Sequence, residues 1–496
     1  MRETATHRLL LLIGVAVCLA ACAVGPNYRR PTLDVPAAYR IRPATAAALI
    51  DTAWWRQFQD PVLDELIGEA LKSNLDARIA AARIEEYSGR LESVRSALFP
   101  QLGYGASALR EHASNTSNVG SSPVELGTSS LLSLDTAAVS QTLSVDSAAL
   151  TASWEIDLWG QLRRATEAAR ADLLATEQAR RGTILTLIAQ LAGGYVTLRS
   201  LDRELEIARN TLAARKHSLE LFQARYDGGV LSDVELNQAR SEYEAAVANV
   251  PTLESAVHQQ ENALCVLLGR NPMSIPRGKP LSALGMPAIP AGLPADLLER
   301  RPDILAAEAS LIAANARIGV ARALYFPTLS LTGALGSSSS QLRNLFSGPA
   351  RIWTYGGSIA GPLFTGGQVH GAVRQAEAQH EQLLLNYRKV IQNAFREVDD
   401  ALIAQQKVEE RAAAQSRQVE ALRKYLAGAQ LVYEGGYSSY IEVLDAERSL
   451  FGSELSYAQT QADRRIALIG LYTAMGGGWA MASQMTDQPR KRNGPE

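Results

Sequence analysis

Few side chains in this sequence are placed to do chemistry, and the clearest of them is a cysteine. Leu19-Ala20-Ala21-Cys22 closes an apolar run, Leu9 to Leu19, that follows the basic residues Arg2 and Arg8. A basic start, a short apolar core and small residues before the cut mark an export signal. Because Cys22 stands at the expected cleavage point, the pattern resembles a lipobox, and residues 1–21 are read as a lipoprotein signal peptide. The Cys22 thiol is then the acceptor of lipid, and Cys22 becomes the first residue of the mature chain. Ala23 follows it rather than an aspartate, which resembles the sorting rule for outer-membrane lipoproteins. One acyl chain holds a protein weakly to a bilayer, and several hold it firmly. Cys18 leaves with the signal. Cys265, in Leu264-Cys265-Val266-Leu267-Leu268, is then the one thiol left, and its apolar neighbours make it a small core residue.

Other chemistries are poorly provided for. His7, His112, His217, His258, His370 and His380 form no zinc-type pair. Gly366-Gly367 precedes a helical stretch without a following Gly-Lys, so it is no phosphate loop. Ser337 to Ser340 lacks the flanks of a nucleophile elbow. A net charge of −2 leaves no footprint for nucleic acid. The expectation is a protein that is not an enzyme, with no metal and no cofactor beyond the lipid on Cys22.

The elements that would position these residues are long. Gln161 to Tyr226 contains no proline, and Leu191, Tyr195, Leu198, Leu205, Leu212, Leu219 and Phe222 recur at helical steps. At about 1.5 Å per residue such a helix is a rod of roughly 100 Å. Tyr226-Asp227-Gly228-Gly229 suits a left-handed exit and a reversal, with a return limb running to Gly269. The pattern then repeats at Tyr433-Glu434-Gly435-Gly436. A shift of 207 aligns Tyr226 with Tyr433, Ser232 with Ser439, Gly269 with Gly476 and Gln161 with Gln368. Leu98-Phe99-Pro100 matches Tyr325-Phe326-Pro327 at a slightly different shift. A unit of roughly 200 residues, far longer than a solenoid repeat, is duplicated.

Between each Phe-Pro and each long helix the period changes to two. Leu102, Tyr104, Ala106 and Ala108 alternate with Gly103, Gly105 and Ser107; Leu150, Ala152, Trp154 and Ile156 alternate with Thr151, Ser153 and Glu155. Leu329, Leu331 and Leu335, and the segment 351–363, follow suit. The strands approach the 9–11 residues of a tilted membrane strand, although a soluble sheet packed on one face fits the same alternation. In lipid, four strands leave two unsatisfied edges, and the smallest closed barrels have about eight, so several chains would have to pool their strands. No run after the signal is apolar enough for a transmembrane helix. The expected division is an extended N-terminal lead over 22–60, a first repeat over 61–272, a linker over 273–294, a second repeat over 295–478 and a tail over 479–496. The first repeat holds strands at about 100–111 and 140–159 and a helical hairpin over 161–270. The second holds strands at about 327–336 and 351–364 and a hairpin over 367–475.

Several motifs narrow this further. They are Cys22 with Gly25-Pro26-Asn27-Tyr28, Trp54-Trp55 and Phe58 before Asp60-Pro61, Arg300-Arg301-Pro302-Asp303, and Gly366-Gly367-Gln368. The most specific is Leu444-Asp445-Ala446-Glu447-Arg448-Ser449-Leu450-Phe451, followed by Ala474-Met475-Gly476-Gly477-Gly478-Trp479. With these, the chain after Cys22 resembles the TolC-type outer-membrane factors, in their lipoprotein (NodT-like) branch that serves multidrug efflux. The resemblance implies a mixed α and β homotrimer. Four strands per chain would form a twelve-stranded transmembrane β-barrel in outer-membrane lipid, continued by a long periplasmic α-helical barrel. It also implies the passive exit duct of a tripartite efflux system, for drugs or other small toxic compounds delivered by an inner-membrane pump and a periplasmic adaptor. Two alternatives stand beside it. The exit duct of a type I protein secretion system is disfavoured by the lipobox, and a periplasmic coiled-coil structural lipoprotein leaves the strands unexplained.

By the same resemblance, the hairpin tips Asp227, Gly228, Gly229 and Glu434, Gly435, Gly436 are expected to contact the adaptor. Ile441, Asp445 and Arg448 are expected to close the periplasmic end as a gate. Their steps of four and three put them on one helix face. The matching Val234, Gln238 and Ser241 carry no charge, so charge is expected in one repeat only. Three Asp445 carboxylates near an axis would repel, with Arg448 one turn away to offset them. The same residues also fit a solvated helix face with an i,i+3 ion pair.

Overall fold

Asp60-Pro61 starts a helix for a local reason. The Asp60 carboxylate accepts the Val62 N–H at 2.9 Å, and proline fills the first position, where no N–H is needed. The computed structural model describes residues 23–33, 35–40, 53–112, 142–288 and 294–477. Its elements are α1 (Pro61–Ser73), α2 (Leu75–Ser96), β1 (Gln101–His112), β2 (Thr142–Ile156), α3 (Gln161–Asp227) and α4 (Asp233–Leu267). They continue with α5 (Pro302–Ala323), β3 (Thr328–Ser339), β4 (Arg351–Ala360), α6 (Gln368–Glu434) and α7 (Tyr440–Ala474). The duplication is exact in length: α3 and α6 both have 67 residues, α4 and α7 both have 35. Strand β3 runs three residues past its expected end, and β4 stops four short of it.

The chain divides into two compact units. The first comprises Met1–Pro31, Glu85–Leu174 and Ala309–Leu385. It holds one antiparallel sheet in the order β1-β2-β3-β4, so β1 and β4 are both edges. Ile318 and Ala321 of α5 pack on Ala376 of α6 beneath it.

The second unit comprises Thr32–Ile84, Ala175–Glu308 and Asn386–Glu496. Its core gathers Trp54, Phe58, Leu63, Ile67, Leu191, Tyr195, Leu264 and Tyr472, with Trp54 stacked on Tyr472 at 5.4 Å. The lead is therefore not wholly extended: Trp54–Phe58 forms a turn of 3-10 helix whose rings are buried, and removing one such ring costs about 3–5 kcal/mol. Buried Asp60 also accepts from the Tyr195 hydroxyl at 2.9 Å and the Lys279 N–H at 3.0 Å. Burial pushes the Tyr195 hydroxyl up to about 12, which keeps it a donor. The linker is likewise packed, with Ile275, Leu281 and Leu284 buried against the same core. Contrary to expectation, α3 and α5 each contain a stretch apolar enough to cross a membrane. About half of each stretch is buried inside the fold (56% and 50%), which marks core helices.

Candidate functional site

The register of the sheet sorts its side chains onto two faces. One cross-strand row is Tyr104–Leu150–Leu335–Trp353, and below it lies Leu102–Ala152–Gly333–Tyr355. Trp154 with Leu331, and then Ile156–Leu329–Ile359, complete this face toward the helices. The opposite face carries Gly103–Thr151–Ala334–Thr354, Ser153–Thr332 and Glu155–Ser330–Ser358. Tyr104 is 91% exposed and Tyr355 82%, so the apolar face is bare in the single chain. From Ala148 to Ile156 it extends about 27 Å along the strand, close to the roughly 25 Å apolar band of a membrane barrel once tilted.

The segment that follows Cys22, the expected lipidation position, is strapped to the inner end of this sheet. Cys22 itself lies outside the described residues. The Val24 N–H donates to the Trp159 carbonyl at 2.9 Å, and the Pro26 carbonyl accepts from Asn315 at 2.8 Å. Arg164 donates to Asn27 Oδ1 at 2.7 Å. Gly25, at φ 104°, lies so close to Gly319 that a Cβ would come within 2.5 Å of its Cα. Trp159 donates to the Pro327 carbonyl and stacks on Phe326 at 4.6 Å. Residue 23 is thus seated where β2 gives way to α3. The extended N-terminal lead expected from the sequence holds a strap that its residue pattern does not disclose.

Both hairpin tips close in the same way. Gly229 (φ 73°) donates to the Tyr226 carbonyl and Val230 to that of Arg225; Gly436 (φ 76°) donates to Tyr433 and Tyr437 to Val432. This paired bonding through a left-handed glycine ends each helix and turns the chain, as Gly228-Gly229 and Gly435-Gly436 require. Asp227 and Glu434 are the last helical residues. The turns leave Val230 and Tyr437 more than 80% exposed at the extremity. Behind them Phe222, Tyr433 and Tyr440 form an aromatic cluster, with Phe222 and Tyr440 4.2 Å apart.

Ile441, Asp445 and Arg448 share one exposed face of α7, with Val443, Leu444 and Ala446 buried behind. The matching positions Val234, Gln238 and Ser241 carry no charge, and the acid that Arg448 meets stands one position beyond them. Arg448 turns to Glu242 of α4, donating through Nε at 2.7 Å, and Arg215 of α3 holds the other carboxylate oxygen at 3.0 Å. Glu242 stands next to the uncharged Ser241 and is itself buried, so the first repeat supplies its charge beside the expected face rather than on it. The hydrogen bond to Glu242 holds the Arg448 guanidinium above its usual pKa, with Asp445 adding to it. Glu447 lies beside this cluster, and burial pushes its carboxyl upward. Among the described residues no group of three or more His, Cys, Asp or Glu side chains is arranged to hold a metal.

A bare apolar sheet face together with duplicated helical hairpins is the architecture of an outer-membrane efflux channel. The chain belongs to the outer membrane efflux protein family, whose model matches residues 66–270 and 293–477, and the outer membrane is its location. The cation efflux system protein CusC of Escherichia coli is 34% identical, the match covering 95% of this chain and 98% of that one. A crystal structure of CusC aligns with a TM-score of 0.80 at 32% identity over 92% of this chain and all of the other. The probable outer membrane lipoprotein SilC of Salmonella typhimurium is 32% identical over 95% and 98% of the two chains. The toluene efflux pump outer membrane protein TtgC of Pseudomonas putida is 33% identical over 96% of each.

Proposed function

We propose that this chain is one of three identical subunits of a passive duct, acylated at Cys22. Through it an inner-membrane pump and a periplasmic adaptor discharge drugs or other small toxic compounds. The observation that carries the reading is the sheet: four strands, one apolar face, and two edges whose backbone groups no strand among the described residues satisfies. In lipid each such edge is too costly to persist, and pooling the strands of three chains closes a barrel of ordinary size. Relatives named for cations and toluene support a duct whose substrates are chosen by its partners. The exposed tip residues Val230 and Tyr437, with the glycine turns behind them, are the adaptor's contact.

Native mass measurement of the detergent-extracted protein is expected to give a trimer; a stable monomer would overturn the shared barrel. Mass spectrometry of the mature N-terminus is expected to find lipid on Cys22, and cleavage at another bond would remove that part. In planar bilayers Asp445→Ala with Arg448→Ala is expected to raise the conductance of the intact trimer, and Ile441→Ser to add to it. Glu242→Gln, which frees Arg448 without removing it, is expected to act in the same direction. Unchanged conductance in all three would leave these residues as a solvated helix face.

A further inference from the structure

The β3–β4 connection carries exposed apolar side chains that no contact among the described residues covers. It contains two 3-10 turns, Leu342–Asn344 and Gly348–Ala350, and buries Leu345 and Ala350. Yet Leu342 is 69% exposed and Phe346 83%. Phe346 does not point over the polar face of the sheet. It lines a groove of about 580 Å³ together with Tyr104, Leu150 and Leu335 of the outermost apolar row and with Arg351 beyond it.

Charge is placed just beyond those apolar groups. Arg351 stands one step further out than Trp353 on the same face of β4, and Trp353 stacks on Tyr355 at 5.7 Å. Amphipathic rings of this kind sit at the membrane–water boundary, so Arg351 comes level with headgroups. Arg343 lies in the same connection, oriented by a hydrogen bond from Nε to Gln341 at 2.9 Å. Among the described residues no carboxylate lies in ion-pair range of either arginine. Among the described residues the one acid on this face near them, Asp146, is a row further out on β2.

We propose that this connection is a docking surface for a lipid of the outer leaflet that carries phosphate on its headgroup. Leu342 and Phe346 enter the acyl layer, and Arg343 and Arg351 hold the phosphate. A soluble phosphate or a nucleic acid would leave both apolar side chains in water, and a lipid without phosphate would leave both arginines unmatched. Arginine's planar fork fits phosphate oxygens in pairs. The inference rests on the membrane placement of the sheet argued above, and its test keeps the two apart.

The full-length protein in a neutral detergent is titrated with diphosphoryl lipid A and, separately, with the same lipid stripped of its phosphates. Lipid retained per trimer is counted by native mass spectrometry. The phosphorylated lipid is expected to bind the tighter, and Arg343→Ala with Arg351→Ala to weaken it about thirtyfold, near a factor of five for each basic residue at a headgroup layer. Arg343→Lys with Arg351→Lys is expected to keep part of the binding, and Leu342→Ser with Phe346→Ser to weaken both lipids alike. Equal binding of the two lipids by an intact wild-type trimer overturns the inference without recourse to any variant. Failure of the protein to form a trimer overturns instead the barrel on which it rests.

Discussion

The two helical hairpins finish on the same backbone geometry and are held by opposite chemistry. In the first, Gly269 at φ 71° ends α4, and the carbonyl of Leu267 accepts from buried Asn74 at 2.8 Å while Ser73 takes that of Leu268. In the second, Gly476 at φ 73° ends α7, and the equivalent carbonyl, that of Ala474, accepts from Arg301 at 2.7 Å. Arg301 is itself gripped by Asp303 and Glu397, each at 2.7 Å. A neutral amide and a buried cation thus cap the same atom in two copies of one fold. The glycine satisfies the helix end in both, so the side chain that reaches across is free to diverge. The local supply of partners decides which it is: α1 runs into α2 through Asn74, whereas Arg301 precedes Pro302-Asp303 and faces α6.

The sharpest way to break this comparison is to remove the cation. Arg301→Ala leaves Asp303, Glu397 and a helix-terminal carbonyl without their donor and is expected to cost about 3 kcal/mol. The readout is the temperature at which the detergent-solubilised trimer comes apart. Arg301→Lys should recover less than half of the loss, since one ammonium cannot reproduce the planar fork. Burial alone would lower the Arg301 pKa, but Asp303 and Glu397 raise it above its ordinary value, so the clamp stays charged at every workable pH.

The first hairpin has its own ionic element further along, and it answers to acid. Buried Glu261 accepts from Arg277 and from the Ile275 N–H at 3.1 Å, fastening the linker to α4. Burial pushes its carboxyl up, but the Arg277 and Ile275 hydrogen bonds outweigh this and bring it below the usual range. A depressed carboxylate contributes stability above its unfolded pKa and loses it as pH falls through the folded value. Glu261→Gln should cost about 2 kcal/mol near pH 7 and flatten the acid limb of a stability–pH curve. An acid limb identical to wild type would show that the linker is held by packing alone. Asn74→Ala, with neutral partners, should cost about 1–2 kcal/mol with no pH dependence.

The smallest contrast lies at the tips. Ser232 and Glu235 form a complete capping box on α4, while Ser439 makes no side-chain cap on α7. Ser232→Ala should therefore cost about 1 kcal/mol, and Ser439→Ala less than about 0.5 kcal/mol. Amide exchange in the first turn of each helix would show the difference, and equal responses would erase it.

These contrasts also divide what could be read in advance from what could not. The helix starts at Gln161 and Gln368, the glycine turns and the alternating strands follow from local rules, because proline, glycine and side-chain period act within a few residues. Alternation even set Leu102 with Tyr104 on one side of β1, and Leu150 with Trp154 on one side of β2, before their register was known. What escaped is what depends on a distant neighbour. Glu242 and Arg448 are 206 residues apart, and a helix pattern gives the face of each without saying what it meets. The proline-rich segment reads only as a linker because Ile275, Leu281 and Leu284 are spaced by no regular period, yet a core receives them. The strap over Ala23–Asn27 depends on Gly319 and Asn315, almost three hundred positions away.

Cys265 was read as a small core residue, and its surroundings give it a second use. Its thiol donates to the Met273 carbonyl at 3.2 Å and is wholly enclosed, the sole cysteine among the described residues. A maleimide can reach that sulfur only after the last turn of α4 parts from the segment that follows it. The unmodified protein thus carries its own clock. At low reagent the labelling rate follows how often that junction stands open, and at high reagent how fast it opens. Recorded with and without a partner protein at the tips, the same sulfur would report whether an event at one end of a helical hairpin is felt at the other.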